Sequence, residues 1–306
     1  MEDYRKYLDP KTLNKIGSID LKARLIVEGF LTGAHRSPFH GFSVEFAEHR
    51  EYVPGDDVRF VDWKVFGKSD RYYIKQYEEE TNLQCLVVLD TSESMGYAGS
   101  GKDAISKLEY GRYVAASLAY LILEQRDSAG LGLFDSTLYR YIPPQSHQSH
   151  LKLLLQEISV HPGEKKTDIA QILHSLAERV TKRGMVLLVS DLLDDPQKVV
   201  EGLRHLHAKR HDIVVFHVLD DDEIRFPFEQ MTQFIGLEER GDVMANPRAL
   251  RKSYLEEMNG YLSAIRKACR ENRVDYVLIN TRQPLDVALS TYLATRASAR
   301  ARAGRG

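Results

Sequence analysis

The chain has 306 residues, 43% of them hydrophobic and 28% charged, which is an ordinary composition for a globular protein. Its formal net charge of −2 creates no field that would draw the whole molecule to nucleic acid or to an acidic membrane surface. Its apolar runs are only a few residues long, whereas a helix needs about 20 apolar residues to span a bilayer. We therefore expect a cytoplasmic protein with no membrane span and no nucleic-acid partner.

Two cysteines, Cys85 and Cys269, follow no metal-binding or redox spacing. Cys85 lies in a run of strand-forming residues, and Cys269 lies on the apolar stripe of a late helical pattern. Both positions predict buried, reduced thiols. This prediction agrees with a cytoplasmic location.

The first part of the chain combines a helical pattern with a strand pattern. Residues 1 to about 33 carry apolar side chains at helical spacing. Over residues 42–80 the apolar period changes to two, interrupted by two turn signals rich in Gly and Asp. We predict an N-terminal helical plus β-rich module over residues 1–82.

From Leu83 onward, strand-like and helix-like patterns alternate. The predicted strands cover residues 83–89, 128–134, 138–142, 185–189, 213–219 and 274–279. The predicted helices cover residues 107–125, 150–158, 168–180, 196–209 and 250–269. Such alternation is typical of the α/β class, in which a doubly wound, mostly parallel sheet carries helices on both faces. We predict this fold for residues 83–281.

Residues 282–306 form a predicted C-terminal segment that begins near Pro284. A short helix is predicted to run to Leu293. Residues 296–306 contain four arginines, no acidic residue and no large apolar residue. This composition predicts a disordered basic tail.

A continuous apolar run from Leu86 to Leu89 leads directly into Asp90, Ser92 and Ser94. Such a run is typical of a strand buried on both faces, so the three polar residues should lie on the loop at its carboxyl end. Open α/β sheets bind their ligands at that edge. One carboxylate and two hydroxyls at alternate positions supply the oxygen ligands that Mg²⁺ prefers.

Two later residues are expected at the same edge of the sheet. Asp191 follows another buried strand and repeats the position of Asp90. Thr167 precedes a predicted helix, where its hydroxyl either caps the helix or points into the crevice. Each of these residues alone is explained as a helix cap. Together they favour a metal site of Asp90, Ser92, Ser94, Thr167 and Asp191.

The order Asp-x-Ser-x-Ser, then Thr, then Asp resembles the metal-ion-dependent adhesion site of von Willebrand factor A-type domains. The resemblance covers about residues 83–281. It implies that the two serines and Thr167 bind Mg²⁺ directly, with Mn²⁺ as an alternative ion, while Asp90 and Asp191 act largely through water. It also implies a sixth position that is open to an Asp or Glu of a protein partner. The ion's residual positive charge favours such a ligand.

The segment from Glu45 to Lys64, with its Pro-Gly-Asp-Asp turn and its Val-Asp-Trp run, resembles the bacterial family of domain of unknown function 58. In that family a β-rich segment precedes the adhesion-type domain. The resemblance implies a MoxR-type AAA+ ATPase as partner and a role in the assembly or maturation of complexes.

One enzymatic alternative is open at this point. Haloacid dehalogenase-type phosphohydrolases also begin with a buried strand that ends in an aspartate, so Asp90 would be the nucleophile and Ser190 the later hydroxyl. They need a second aspartate two residues after the first as general acid, and this chain has Ser92 there. The leaving group would lack a proton donor. We therefore predict a metal-dependent protein-binding module rather than an enzyme.

Overall fold

The computed structural model describes residues 23, 26, 27, 49–51, 67, 72–75, 83–101, 104–160, 169–236 and 241–303. The chain divides into two compact units, one of residues 1–36 with 83–306 and one of residues 37–82. In the smaller unit, strand β1 (His49–Glu51) pairs antiparallel with strand β2 (Tyr73–Lys75). Both strands lie in the region where alternating apolar residues predicted β structure.

The larger unit is organised around a mostly parallel sheet. Its strands are β3 (Gln84–Asp90), β4 (Ser128–Phe134), β5 (Leu138–Gln145), β6 (Met185–Ser190), β7 (Asp212–Leu219), β8 (Thr232–Phe234), β9 (Val243–Ala245) and β10 (Asp275–Asn280). Six of them form one sheet in the order β10-β7-β6-β3-β4-β5, while β8 and β9 form a separate antiparallel pair. Within the six-stranded sheet only β5 is antiparallel. The predicted doubly wound, mostly parallel α/β fold is confirmed.

Helices connect the strands and cover both faces of the sheet. After residue 83 they are α1 (Lys107–Glu124), α2 (Ser149–Val160), α3 (Ile169–Arg179), α4 (Pro196–Ala208), α5 (Asp221–Arg225), α6 (Pro247–Glu271) and α7 (Asp286–Ala303). In the parts of the chain that the structure describes, no helix has both the length and the apolar character that a bilayer crossing requires.

The central strand β3 is apolar on both faces, as its sequence predicted. Val87 and Leu89 pack in one core layer with α1, α2 and α7. Leu86 and Val88 pack in the other layer with α3, α4 and α6. Successive residues of a strand point to opposite faces, so one apolar run fills both layers.

Residues near the N-terminus contribute to the first of these layers. Ala23, Ile26 and Val27 are buried among the side chains of that core. Part of the segment assigned to the N-terminal module therefore packs with the α/β unit. The predicted domain limits, 1–82, 83–281 and 282–306, stay predictions.

Three features differ from the sequence-based expectation. Helix α5 and the β8–β9 hairpin were not predicted, because elements of three to five residues are too short for periodicity to indicate. Helix α7 runs to Ala303 and so includes residues 296–303, for which disorder was predicted. Ala and Arg are strong helix formers, and their helix propensity outweighs the lack of large apolar residues here. Residues 304–306 lie outside the described residues.

The strand order places a crevice beside β3. The chain leaves β3 to form β4 on one side of it, and later forms β6 on its other side. Where the connections from two neighbouring parallel strands run in opposite directions, a crevice opens at the carboxyl ends of those strands, here β3 and β6. The residues that follow these two strands therefore border the same crevice.

Gly184, directly before β6, lies where β3 and β6 approach each other closely. A Cβ atom at this position would lie 2.3 Å from the backbone oxygen of Gln84. We expect Gly184→Ala to lower the free energy of unfolding by about 2 kcal/mol, because β3 and β6 would have to separate. Gly260→Ala is the control, since a Cβ atom there has no heavy atom within 4 Å. Urea unfolding should show the control unchanged or slightly more stable. Equal stabilities of the two variants would contradict this account.

Candidate metal centre

The carboxyl end of β3 brings together the first three predicted ligands. The strand ends at Asp90, and a 3₁₀ turn follows over Glu93–Gly96. The amide of Ser92 donates to Asp90 Oδ1 at 2.9 Å, which turns the chain back over the strand end. The hydroxyl oxygens of Ser92 and Ser94 lie 3.1 Å apart, and both residues are buried. The three residues thus form one oxygen cluster.

The spacing of the two serine hydroxyls fits a magnesium ion. In an octahedral shell with Mg–O distances of about 2.1 Å, adjacent ligand oxygens lie about 3.0 Å apart. The 3.1 Å between Ser92 Oγ and Ser94 Oγ matches such a pair. Both carboxylate oxygens of Asp90 instead accept hydrogen bonds within the protein, from Ser92 N and from Ser190 Oγ. Asp90 is therefore suited to reach an ion through water.

Asp191 reaches the same crevice from the end of β6. The preceding residue, Ser190, donates its hydroxyl to Asp90 Oδ2 at 2.5 Å and accepts from the Leu192 amide at 2.9 Å. Asp191 is itself buried. The structure thus brings four of the predicted ligands to one edge and makes Ser190 the residue that fixes Asp90.

The site disfavours the charged form of Asp90. Burial, followed by the negative charge of Asp191, raises the pKa of Asp90 from 3.8 to about 7, although hydrogen bonds from Ser190 and Ser92 oppose the rise. A buried carboxylate of this kind is stabilised by a nearby cation. The electrostatics of the crevice therefore favour cation binding.

Lys107 was not assigned a role from the sequence, yet it lies at the centre of this network. It is the first residue of α1 and is fully buried. Its Nζ donates to Asp191 Oδ2 at 2.8 Å and to Glu223 Oε1 at 2.7 Å. Burial lowers the pKa of Lys107, but the charges of Asp191 and Glu223 outweigh burial and the pKa is raised. The ammonium group stays charged.

Glu223 belongs to an acidic turn, residues 220–223, at the carboxyl end of β7. Asp220 caps α5 by accepting from Asp222 N at 2.9 Å, and its second oxygen accepts from Thr281 Oγ1 at 2.6 Å. The carboxylate of Glu223 accepts a hydrogen bond from the Asp220 amide, with an N···O distance of 2.7 Å. The acidic turn is therefore a rigid, mutually bonded unit next to the candidate site.

The acidic turn also holds the loop that follows the two serines. The amide of Ser100 donates to Asp222 Oδ2 at 2.7 Å. A Cβ atom on Gly99 would lie 2.3 Å from Asp220 Oδ1, so the close approach requires glycine. The sequence contained a signal for this turn: Asp-Asp-Asp-Glu follows a buried strand directly, as Asp90 and Asp191 do.

The fifth predicted ligand, Thr167, differs from the other four. Thr167 and the neighbouring Asp168 lie outside the described residues, so the place of Thr167 in the site stays a prediction. Within the described part of the chain, no three His, Cys, Asp or Glu side chains form a metal-binding group. The candidate site is accordingly one of hydroxyls and two carboxylates.

The family model described as "Protein of unknown function DUF58" matches residues 48–260, more than half of the chain. The chain belongs to this family. Family membership was predicted from the segment around the Pro-Gly-Asp-Asp turn, and that prediction is confirmed.

Relatives of this DUF58 protein include the uncharacterized proteins Mb1516 of Mycobacterium bovis and Rv1480 of Mycobacterium tuberculosis. Each is 26% identical over 222 residues, which cover 72% of this chain and 68% of the relative. Among solved structures, the conserved hypothetical protein BatB from Bacteroides thetaiotaomicron has a TM-score of 0.48 and 16% identity, covering 71% of this chain and 97% of BatB. The VWA domain of SpRpn10 has a TM-score of 0.39 and 12% identity, covering 68% and 94%.

His217 lies on β7 of the DUF58 protein and bonds to the backbone of Asp191. Its Nε2 lies 2.8 Å from the backbone oxygen of Asp191, and its Nδ1 lies 2.7 Å from the hydroxyl of Tyr276. Burial lowers the pKa of His217 from 6.5 to about 4. The imidazole is therefore neutral near pH 7, donating through Nε2 and accepting through Nδ1.

Asp90 and His217 are expected to give the DUF58 protein opposing pH dependences of stability. The folded state holds a proton on Asp90 up to about pH 7, whereas the unfolded chain releases it near 3.8, so stability falls as pH rises through this window. The folded state keeps His217 neutral down to about pH 4, whereas the unfolded chain takes up a proton below 6.5, so stability falls as pH drops. The two effects offset each other between about pH 4 and 6.5.

Urea unfolding across this pH range, in the presence of EDTA, checks the offset. Burial also lowers the pKa values of His150 and His211, so the wild type should lose some stability as pH drops, but less than a variant without Asp90. In Asp90→Asn, where the first contribution is removed, stability should fall steadily as pH drops below 6.5. A variant with the same pH profile as the wild type would contradict the assignment.

Proposed function

We propose that this DUF58 protein is a metal-dependent protein-binding module and not an enzyme. In this proposal Ser92, Ser94 and Thr167 bind Mg²⁺ or Mn²⁺ directly, and Asp90 and Asp191 act through water. The observation that carries the proposal is the pair of buried serine hydroxyls, 3.1 Å apart, beside two buried carboxylates. The pair lies where the strand order opens a crevice, which is the usual ligand site of such sheets.

The partner is proposed to complete the metal shell with an Asp or Glu side chain. A bound divalent ion retains positive charge in a site with only two protein carboxylates, and an incoming carboxylate neutralises it. The protein's own residues would hold the ion and leave one position for the partner. A MoxR-type AAA+ ATPase is the first partner to test, on the strength of the family resemblance, with complex assembly or maturation as the proposed role.

An array of short peptides tests the carboxylate requirement. Peptides that present one Asp, paired with peptides in which Asn replaces it, are incubated with the protein in Mg²⁺ or in EDTA. We expect retention that needs the Asp and Mg²⁺ together and that Ser92→Ala removes. Ser263→Ala, an exposed serine on α6, is the control and should behave as the wild type. Retention that survives EDTA or the Asp-to-Asn exchange would overturn the proposal. The same conditions apply to a purified MoxR-type ATPase.

A further inference from the structure

Lys107 places a fixed positive charge against one of the two carboxylates that are proposed to face the metal. Its Nζ lies 2.8 Å from Asp191 Oδ2, and each of these side chains is 1% exposed. The helix does not explain the position, because a helix N-terminus favours negative charge rather than positive. The two carboxylates, Asp191 and Glu223, explain it. A charged ammonium without them would not be stable at this depth.

This arrangement has a consequence in the metal-free protein. The strands that supply Asp191 and Glu223 end side by side, and α1 begins at Lys107 above them. Without a cation here, the buried carboxylates would repel one another and drive the loops apart. Lys107 thus holds the ends of β6, β7 and α1 together whether or not a metal is present.

We infer that Lys107 is a built-in counter-cation that makes retention of the metal depend on the partner's carboxylate. This inference rests on the proposed function and deepens it. Lys107 neutralises Asp191, so less negative charge is left for an ion beside the serines. The ion then keeps more of its positive charge, and an Asp or Glu from outside neutralises that charge. Metal alone binds weakly, and metal with the partner binds well.

Glu223 allows the charge effect to be separated from a structural one. Glu223 shares the Lys107 ammonium with Asp191 at nearly equal distances, 2.7 and 2.8 Å. Removing the ammonium in Lys107→Met frees the charge of Asp191 for the metal. Removing the second carboxylate in Glu223→Gln leaves the ammonium to Asp191 alone. The inference therefore requires the two variants to change Mg²⁺ affinity in opposite directions, whereas a merely structural role of Lys107 would weaken both.

The experiment is a calorimetric titration with Mg²⁺ alone of the wild type, Lys107→Met and Glu223→Gln. We expect Lys107→Met to bind Mg²⁺ at least about tenfold more tightly than the wild type, since the repulsion between an ammonium group and a divalent ion at the same sheet edge is of that order even with solvent-like screening. Glu223→Gln should bind more weakly. Lys252→Met is the control, because that lysine side chain is 87% exposed and its ion-pair partner is Glu256 on the same helix, α6.

Thermal unfolding of the same samples gives a second readout. In EDTA, Lys107→Met should melt below the wild type, and Mg²⁺ should raise its melting temperature by more than it raises that of the wild type. Lys107→Gln, which keeps hydrogen-bonding capacity but no charge, replaces Lys107→Met if the latter does not fold. It should show the same increase in affinity.

The outcomes separate this inference from the proposed function. If both Lys107 variants bind Mg²⁺ more weakly than the wild type, as Glu223→Gln does, the inference is overturned. It is also overturned if they fail to bind Mg²⁺ at millimolar concentration. If the opposite signs are found but no Asp-bearing peptide raises the Mg²⁺ affinity, Lys107 weakens Mg²⁺ binding as inferred, while its link to a partner's carboxylate fails together with the carboxylate partner of the proposed function.

Discussion

Asp90→Asn is expected to abolish Mg²⁺ binding and, in the same protein, to raise the free energy of unfolding measured in EDTA. The metal-free fold must keep a buried carboxylate near Asp191, and this raises the pKa of Asp90 to about 7. Asparagine removes that charge. Its Oδ1 can still accept from Ser92 N, and its Nδ2 faces the Ser190 hydroxyl, which can accept. At pH 8 the gain should be on the order of 2 kcal/mol.

Urea unfolding at pH 8 in EDTA measures the stability of this variant, and a Mg²⁺ titration measures its metal affinity. Asp275→Asn is a matched control, because Asp275 is an exposed aspartate at the amino end of β10. The control should change neither quantity. An Asp90→Asn variant that is less stable than the wild type would contradict the electrostatic account of the site.

Asp220→Ala should produce the largest loss of stability among the variants of the acidic turn. The substitution removes the cap of α5, which costs about 1 kcal/mol. It also leaves the buried Thr281 hydroxyl without its acceptor, at a further cost of about 1–3 kcal/mol. We expect a total loss of about 3 kcal/mol. Because Gly99 packs directly against the Asp220 carboxylate, the loop after the two serines loses its support and Mg²⁺ affinity should fall as well.

Asp195→Ala is the control for the capping effect alone. Asp195 caps α4 by accepting from the Gln197 amide at 2.8 Å, and it is exposed. This variant should lose about 1 kcal/mol and keep its Mg²⁺ affinity. If Asp195→Ala weakens Mg²⁺ binding as much as Asp220→Ala does, the link between the acidic turn and the loop after the two serines does not hold.

The sheet could be predicted from the sequence because its strands are short, continuous apolar runs. Leu86 to Leu89 fills both core layers, and such a run has few alternatives in an alternating α/β pattern. The edge of the site followed from the same reasoning, since Asp90 and Asp191 come directly after such runs. The extension of the C-terminal helix beyond Leu293 could not be predicted from apolar periodicity, because it depends on the helix propensity of Ala and Arg.

The charge network could not be predicted in the same way. A single lysine at the start of a helix predicts an exposed side chain. The partners that bury Lys107 lie 84 and 116 positions later in the chain, and only the strand order brings them to it. The role of Ser190 was equally hidden, because a serine at a strand end has several local explanations. Residues 220–223, four consecutive acidic residues directly after a buried strand, are the one signal of this network that the sequence carries.

Metal binding at the serine pair is tested by a calorimetric Mg²⁺ titration of the wild type beside Asp90→Asn, in acetate buffer, whose carboxylate stands in for that of a partner. Hydrolysis of p-nitrophenyl phosphate is assayed on the same samples. We expect the wild type to bind one ion per chain, the variant to bind none, and neither to hydrolyse the phosphate ester. Metal-dependent hydrolysis that is lost in Asp90→Asn would contradict this expectation and favour the phosphohydrolase alternative. Absence of Mg²⁺ binding by the wild type in acetate would contradict it as well.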